Sequence, residues 1–371
     1  MKVLFTTCFL SPYRIDFFNE LGKYCDLSVV AEDSIEHQKH RDKAWFTGSA
    51  ENFKQISLHS IRLRKKVVFC PGIAKFIGRG LFDVVVIGGC STPTELYAHI
   101  MLKLRGVPFI LNSDGALPGS QESKFRHLAK RWLYGRPSLL LSTGRPTKRY
   151  FTQYGVPDSK IVDYPFASQR SGDILSCLVS ETEKEVLRKT LGIYEKQMVL
   201  SVGRFIHSKG FDVLLEACRN LPADVGVYII GGNDSYEYSR IREELQLCHV
   251  HFVCFKPKSE LQRYYQASDL FVLPTRSDTW GLVINEAMSN GLPVITTDKC
   301  GAGLELIKDG ENGYIVPVGN ADALGEKMRR ILSDDVLSKR MSQNNIAKIR
   351  PYTIENMAKT HMDILQSVLK A

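Results

Sequence analysis

The chain has 371 residues, 44% hydrophobic and 24% charged, with 10% aromatics and 28 Gly and 15 Pro spread along it. These proportions suit two or three globular domains with their own cores, and they exclude a disulfide-stapled miniature scaffold, a collagen-like or repeat array and a largely disordered chain. The formal charge of +9 divides into 25 Lys and Arg against 14 Asp and Glu in residues 1–170 and 24 against 26 in residues 171–371, so the basic excess lies in the first half, pointing there to a partner bearing negative charge.

From the first residue, short β-branched runs alternate with amphipathic helical stretches. Strands are predicted at 3–5, 27–30, 84–87, 109–112, 139–141 and 161–162, and helices at 13–23, 93–104, 125–133 and 147–153. This is βαβ grammar, which implies a buried parallel sheet. The helix after Ser91 has a cap candidate, Pro93 in its first turn and Gly106 just past its end, the usual asymmetry of helix signals. The alternation stops at Pro165, where an irregular stretch leads into the charged helix ETEKEVLRKTLG. It resumes at 198–202 and runs to 296, followed by three helical stretches at 321–332, 336–348 and 354–369. The expected organisation is a first Rossmann-like domain over 1–167, a linker and domain entrance over 168–195, a second Rossmann-like domain over 196–350, and a terminal helix over 351–371 that packs back on the first domain. The fold class is therefore α/β, with ligand bound at the carboxyl ends of the two sheets where they face across a cleft.

Apolar runs such as VVVIGG at 84–89 and PFIL at 108–111 fall short of the roughly 20 residues of a membrane span. The opening MKVLFTTCFLSPYR meets a Ser-Pro turn where a signal peptide continues apolar, so an unexported chain is expected. Nine cysteines without a CxxC pair read as small hydrophobes in a reducing, cytoplasmic compartment rather than as disulfides or a structural zinc site.

The most informative stretch is FVLPTRSDTWGLVINEAMSNGLPVI at 271–295. A strand ends, Gly281 permits close backbone approach, and a helix begins with the N–H groups of Leu282 and Val283 free to meet an anion. Asp278 before this helix and Glu286 in its second turn are carboxylates able to accept hydroxyl hydrogen bonds from a sugar or a ribose diol. The plainer alternative makes Asp278 a helix cap and Glu286 a surface residue. Upstream, the strand at 198–202 ends in Gly203-Arg204, and Lys209-Gly210 opens the next helix; Arg204 as a fork and Lys209 as a point charge suit a diphosphate, the alternative being two solvated surface cations. His207 between them either touches the ligand or orders the loop. Gly232, with Gly231, would let backbone approach a nucleotide. In the first half, 11–14 (SPYR), 88–91 (GGCS) and 112–115 (NSDG) follow strands; Asp114 either faces a sugar or completes an Asp-Gly turn.

Residues 198–318 resemble the donor-binding domain of family-4 retaining glycosyltransferases of the GT-B fold. Asp278 and Glu286 with EAMSNGLPVI at 286–295 match the family's acidic residue, seven-residue spacer and Glu, although Asp278 stands where a Glu is usual. SVGRFIHSKGFDVLLEA at 201–217, IIGGNDSYEY at 229–238 and GENGYIVP at 310–317 match too, and SPYRIDFFNEL at 11–21 is similar to the acceptor domain of bacterial surface-polysaccharide members. The resemblance implies that Arg204 and Lys209 stabilise a leaving nucleotide diphosphate, that Glu286 binds the ribose, that Gly203, Gly232, Gly281, Leu282 and Val283 line the donor, and that Phe255 and Lys256 contact the base. Asp114 and Asp278 complete the expected catalytic set. It further implies a hexose moved from a nucleotide-diphosphate sugar, UDP favoured over GDP, to a glycan or lipid-diphosphate-linked oligosaccharide. A sugar-nucleotide epimerase and a non-catalytic sugar-nucleotide-binding subunit are the rivals.

No GxGxxG follows the first strand, which argues against a dinucleotide oxidoreductase. Asp33, Glu36 and His37 sit in a polar loop without metal-ligand spacing, so no divalent metal is expected, the cations and helix N-terminus supplying the positive charge. Nucleic acid would explain the charge but not the carboxylates. An anionic membrane explains it better: Arg62, Arg64, Lys65 and Lys66 form one basic cluster, and 123–136 (SKFRHLAKRWLYGR) reads as a basic amphipathic helix whose apolar side either covers the sheet or meets lipid.

Overall fold

The computed structural model describes residues 1–32, 48–64, 67–119, 122–232 and 236–370. Asp33, Glu36, His37, Lys65 and Lys66 lie outside the described residues. The chain divides into two compact units, one comprising Met1–Ala167 with Thr353–Ala371 and the other Ser168–Tyr352.

In the first unit the elements are β1 (Lys2–Thr7), α1 (Pro12–Leu21), β2 (Asp26–Glu32), β3 (Lys54–Leu58), β4 (Ile61–Arg64), β5 (Val67–Phe69), β6 (Val84–Ile87), α2 (Pro93–Leu104), β7 (Ile110–Asn112), α3 (Lys124–Tyr134), β8 (Leu139–Ser142), α4 (Arg145–Thr152) and β9 (Ile161–Asp163). Seven strands form one parallel sheet in the order β3-β2-β1-β6-β7-β8-β9, and β4 pairs antiparallel with β5 as a separate hairpin. Burial on both faces explains why the central strands read as unbroken apolar runs: Val3, Leu4, Phe5 and all four residues of β6 are buried. Strand β3 (KQISL) and the basic hairpin escape the sequence reading because they are mostly exposed and mix polar with apolar residues. Helix α2 spans the residues expected of it, Pro93–Leu104. Thr92, not Ser91, is its cap: the Thr92 Oγ1 accepts from the Glu95 N–H at 3.1 Å, and Glu95 Oε2 accepts from the Thr92 N–H at 3.1 Å. Right-handed crossovers put α1 on one face of the sheet and α2 and α3 on the other, because the strand order reverses between β1 and β6.

The second unit contains α5 (Glu181–Leu191), β10 (Gln197–Val202), α6 (Phe211–Ala217), β11 (Val225–Ile230), α7 (Tyr236–Glu244), β12 (Val250–Val253), α8 (Lys258–Ala267), β13 (Leu270–Leu273), α9 (Leu282–Ser289), β14 (Val294–Thr297), α10 (Gly301–Leu306), β15 (Gly313–Val316), α11 (Ala321–Leu332) and α12 (Asp335–Ile349). Its parallel sheet runs β12-β11-β10-β13-β14-β15. The stretch 168–195, read above as a linker, is part of this unit. Leu175 N–H donates to Ser289 O at 2.9 Å, and buried Arg188 donates to Ala267 O at 2.9 Å and pairs with Asp269. The last helix, α13 (Ile354–Lys370), belongs to the first unit, where the His361 ring packs 4.8 Å from that of Phe17 on α1.

Candidate functional site

In the second sheet the strand order reverses between β10 and β13, so the loops that leave these two neighbours diverge and open a crevice at their carboxyl ends. Gly203, Arg204 and Lys209 follow β10; Asp278, Gly281, Leu282, Val283 and Glu286 follow β13. Residues separated by some seventy positions in the chain are thereby brought to one place.

The two loops are tied together. Gly210 has φ +69, and a Cβ there would lie 2.2 Å from Pro274 O, so only glycine lets the loops approach this closely. Arg276 N–H donates to Ser208 O at 2.7 Å, and the Arg276 guanidinium grips Asp212 through both nitrogens at 2.7 and 2.5 Å while also donating to His207 O at 3.0 Å. This fork, which no sequence motif flagged, makes His207 a loop-ordering residue through its carbonyl. Lys209 Nζ meets Asp278 Oδ2 at 2.6 Å, both side chains being largely shielded. Asp278 thus aims Lys209, and its other oxygen accepts from the Trp280 N–H at 3.4 Å. Arg204 is exposed and makes no ion pair among the described residues.

Gly281, with φ +96, begins α9; a Cβ would come within 2.9 Å of the buried Cys300 Sγ. No side chain caps the helix, so its first N–H groups remain available to an anion. At about 100° per residue, Leu282, Val283 and Glu286 share one side of α9. That side is partly exposed, while Ile284, Asn285, Ala287, Met288 and Ser289 are buried. Glu286 Oε2 accepts from the Tyr265 hydroxyl at 2.9 Å. Burial pushes the Glu286 carboxyl up to about 7, against the hydrogen bond from Tyr265 and the nearby Lys258, which favour its charge. Tyr265 lies on α8, and periodicity alone gave no hint of it.

The softer assignments fall at the rim. Gly231 and Gly232 follow β11; a Cβ on Gly231 would collide with Gly203 O at 2.0 Å, so Gly231 lets the ends of β10 and β11 close up, while a Cβ on Gly232 would meet only the Phe205 ring at 3.5 Å. Phe255 follows β12, half-buried, and Lys256 is engaged with Glu260 at 3.1 Å.

In the first unit Asp114 does not stand open. Its Oδ2 pairs with Arg14 at 2.5 Å and lies 3.4 Å from the Tyr13 hydroxyl, and its Oδ1 accepts from Asn112 Nδ2 at 3.0 Å and the Tyr164 hydroxyl at 3.4 Å. Burial disfavours the Arg14 guanidinium, but Asp114 together with Tyr13, Cys8 and Tyr164 more than offsets it, holding the group above its ordinary value. These side chains, with His361 from α13, enclose about 10 Å³, room for one water. Asp114 is therefore a positioning group for buried Arg14. The sequence named both members, at 11–14 and 112–115, but not their pairing.

Two family models match along the chain: "Glycosyl transferase 4-like domain" over residues 47–165 and "Glycosyl transferases group 1" over 183–348. The chain is 30% identical over 211 residues to an amylovoran biosynthesis glycosyltransferase of Erwinia amylovora, covering 54% of this chain and 48% of the relative. It is 26% identical over 192 residues to the N,N'-diacetylbacillosaminyl-diphospho-undecaprenol alpha-1,3-N-acetylgalactosaminyltransferase of Campylobacter jejuni, covering 52% and 50%. The chain spans about half the length of these curated relatives. Among solved structures, Anabaena Alr3699/HepE in complex with UDP-glucose superposes with a TM-score of 0.75 at 18% identity over 99% of this chain and 100% of that one, which speaks for the fold. With the two models matched in order, one to each parallel-sheet unit, the chain belongs to the family-4 glycosyltransferases of the GT-B fold.

Proposed function

We propose that this protein is a retaining hexosyltransferase of surface-polysaccharide synthesis, taking its sugar from a nucleotide diphosphate, UDP in preference to GDP, and delivering it to a glycan or lipid-diphosphate-linked oligosaccharide. The observation that carries the reading is the meeting of Lys209, Asp278, the uncapped start of α9 and Glu286 at the β10/β13 reversal. Exposed Arg204 and the helix N–H groups receive the diphosphate, Lys209 adds a point charge held by Asp278, and Glu286 accepts the ribose hydroxyls. Support for a UDP-sugar comes from the ligand of Alr3699/HepE, and for a lipid-diphosphate acceptor from the name of the Campylobacter relative.

In the proposed reaction the bond from the sugar's anomeric carbon to the diphosphate oxygen breaks as the acceptor oxygen bonds on the same face. The acceptor's proton passes to the departing phosphate oxygen, so no protein nucleophile is needed. Positive charge fixed before the reaction stabilises the leaving group, which makes a divalent metal dispensable.

Thermal unfolding with a panel of nucleoside diphosphates tests the donor site first: a ligand at 100 times its Kd stabilises by about 2.7 kcal/mol, roughly 5–11 °C for units of this size. If none of them raises Tm, the donor assignment is wrong. Transfer to lipid-linked acceptors in the presence of a chelator, followed by NMR of the early product, then tests the chemistry. Loss of activity restored by magnesium or manganese, or an inverted anomer, would overturn that part. Turnover of donor alone to an isomeric sugar nucleotide would favour an epimerase.

A further inference from the structure

Helix α3 is amphipathic, but its apolar stripe faces away from the core. At about 100° per residue, Phe125, Leu128 and Trp132 fall within about 60° of one another. They are 83%, 61% and 46% exposed, while the side that packs inward buries Leu133 and Tyr134. The neighbouring helix α2 does the same: Leu96, Ile100 and Leu104, four residues apart, face outward, Leu104 being 74% exposed. Both helices cover the same face of the first sheet, so their apolar stripes lie on one outer surface. Exposed large hydrophobics scattered singly need no account, but two parallel stripes on adjacent helices do.

The charge around them names the occupant. Lys124 and Arg131 flank the α3 stripe on one side and Arg126 on the other; Arg136 stacks over the Trp132 ring at 4.7 Å, and exposed Lys103 lies beside Leu104 on α2. Residues 101–150 hold ten Lys and Arg against two Asp and Glu. Of the basic cluster at 62–66, Arg62 lies on the β4–β5 hairpin, whose Phe69 ring packs 5.4 Å from Tyr97 of α2. A second copy of this chain docking symmetrically through the surface would set like charges against each other. An anionic bilayer instead takes apolar and aromatic side chains into its interface and cations at its headgroups.

We propose that the outer surface of α2 and α3 seats the first unit on an anionic lipid bilayer, with Phe125, Leu128 and Trp132 entering the interface. The inference rests on the reading that the acceptor is lipid-linked, since only then does a surface-bound enzyme gain access to its substrate.

The test uses the full chain and vesicles of phosphatidylcholine with or without phosphatidylglycerol. Sedimentation should show binding that needs the anionic lipid and falls with salt. Changing Lys124, Arg126 and Arg131 to Gln should weaken partitioning about fivefold each. Phe125→Ser with Trp132→Ser should abolish it. Trp132→Phe should retain binding yet lose the part of the tryptophan quenching that brominated lipid causes at this residue. All these positions are exposed, and unchanged Tm elevation by nucleoside diphosphate shows that the donor unit is intact, so failure here is separable from failure of the transferase reading. Equal partitioning to neutral vesicles, no partitioning, or a concentration-dependent dimer dissolved by the Ser variants would overturn the proposal, the last assigning the surface to a second copy.

Discussion

Replacing Glu286 with Gln separates a ribose ligand from a helix-surface residue, because burial gives this carboxyl a titration near neutrality. Its value of about 7, against an ordinary 4.5, means that half the molecules carry a proton there at pH 7. A diol donating two hydrogen bonds needs the ionised form. Affinity for nucleoside diphosphate should therefore drop about tenfold between pH 8 and pH 6 from this group alone, and binding at pH 7 should release about half a proton. The terminal phosphate titrates near pH 6 as well, so the comparison is with Glu286→Gln, which keeps the phosphate's contribution and loses the carboxylate's. The variant should bind about 10–100-fold more weakly at pH 8, as expected from losing charge-assisted hydrogen bonds, and its proton release should shrink. Stability should move the other way. The folded carboxyl holds its proton above the pH at which the unfolded chain has released it, so the parent loses stability as pH rises from about 4.5 to about 7. Gln has no such slope and should gain on the order of 1–3 kcal/mol on the parent by pH 8, partial exposure discounting the full value. Calorimetry in two buffers of different ionisation heat, with thermal unfolding across the same pH range, measures both. Identical binding profiles for parent and variant would refute the ribose role.

Arg204→Ala and Lys209→Ala should each lower turnover about 100-fold or more, and near-normal rates in both would remove the diphosphate from this loop. Asp278→Asn, which leaves Lys209 without its counter-charge, should tighten binding of nucleoside diphosphate while lowering transfer; weaker binding in an equilibrium assay would show that Asp278 itself contacts the ligand. His361, buried on α13 with its ring between Met357 O and Asn112, is held down at about 4 by burial. The unfolded chain protonates near 6.5 and the folded one does not, so stability should fall by on the order of 3 kcal/mol as pH drops from 6.5 towards 4. His361→Gln should flatten that slope in pH-dependent Tm, and an unchanged slope would assign it to other groups.

What sequence reasoning reached depends on how local the determinants are. The start of α9 was legible because Asp278, Gly281 and Glu286 fall within one strand-turn-helix, where the chemistry of each residue and the geometry of the turn are both written in nine positions. The apolar run of β6 and the span of α2, with Pro93 in its first turn, were legible for the same reason. Arg14 and Asp114 are a hundred residues apart, and His361 meets Asn112 across 249, so residue types alone could not pair them. Glu286 shows the limit most clearly: its place on the helix was plain, but the burial that raises its pKa, and the Tyr265 hydrogen bond from α8 that opposes the rise, are not contained in the local pattern. For α3 the periodicity marked an apolar side without saying whether that side faced the sheet or solvent. Only the burial of Leu133 and Tyr134 opposite the stripe decides it.

Net charge misleads about the donor site for a physical reason. The second half carries two more acids than bases, which by itself argues against an anionic ligand. At the β10/β13 reversal, however, the acids are spent locally: Asp212 is held by Arg276, and Asp278 by Lys209. Each pair is neutral and rigid, which fixes the loops without adding field. The remaining positive potential comes from Arg204 and from the uncapped N–H groups of α9, which formal charge counting omits. A diphosphate entering there meets a cation without a competing carboxylate, then a helix N-terminus, and only then a lysine it must share with Asp278. In the proposed reaction the order matters: binding would begin on Arg204 and the backbone without first separating an ion pair, and Lys209 would join as charge accumulates on the leaving phosphate. On that proposal the stabilisation would grow along the reaction, which is the part of binding energy that accelerates transfer.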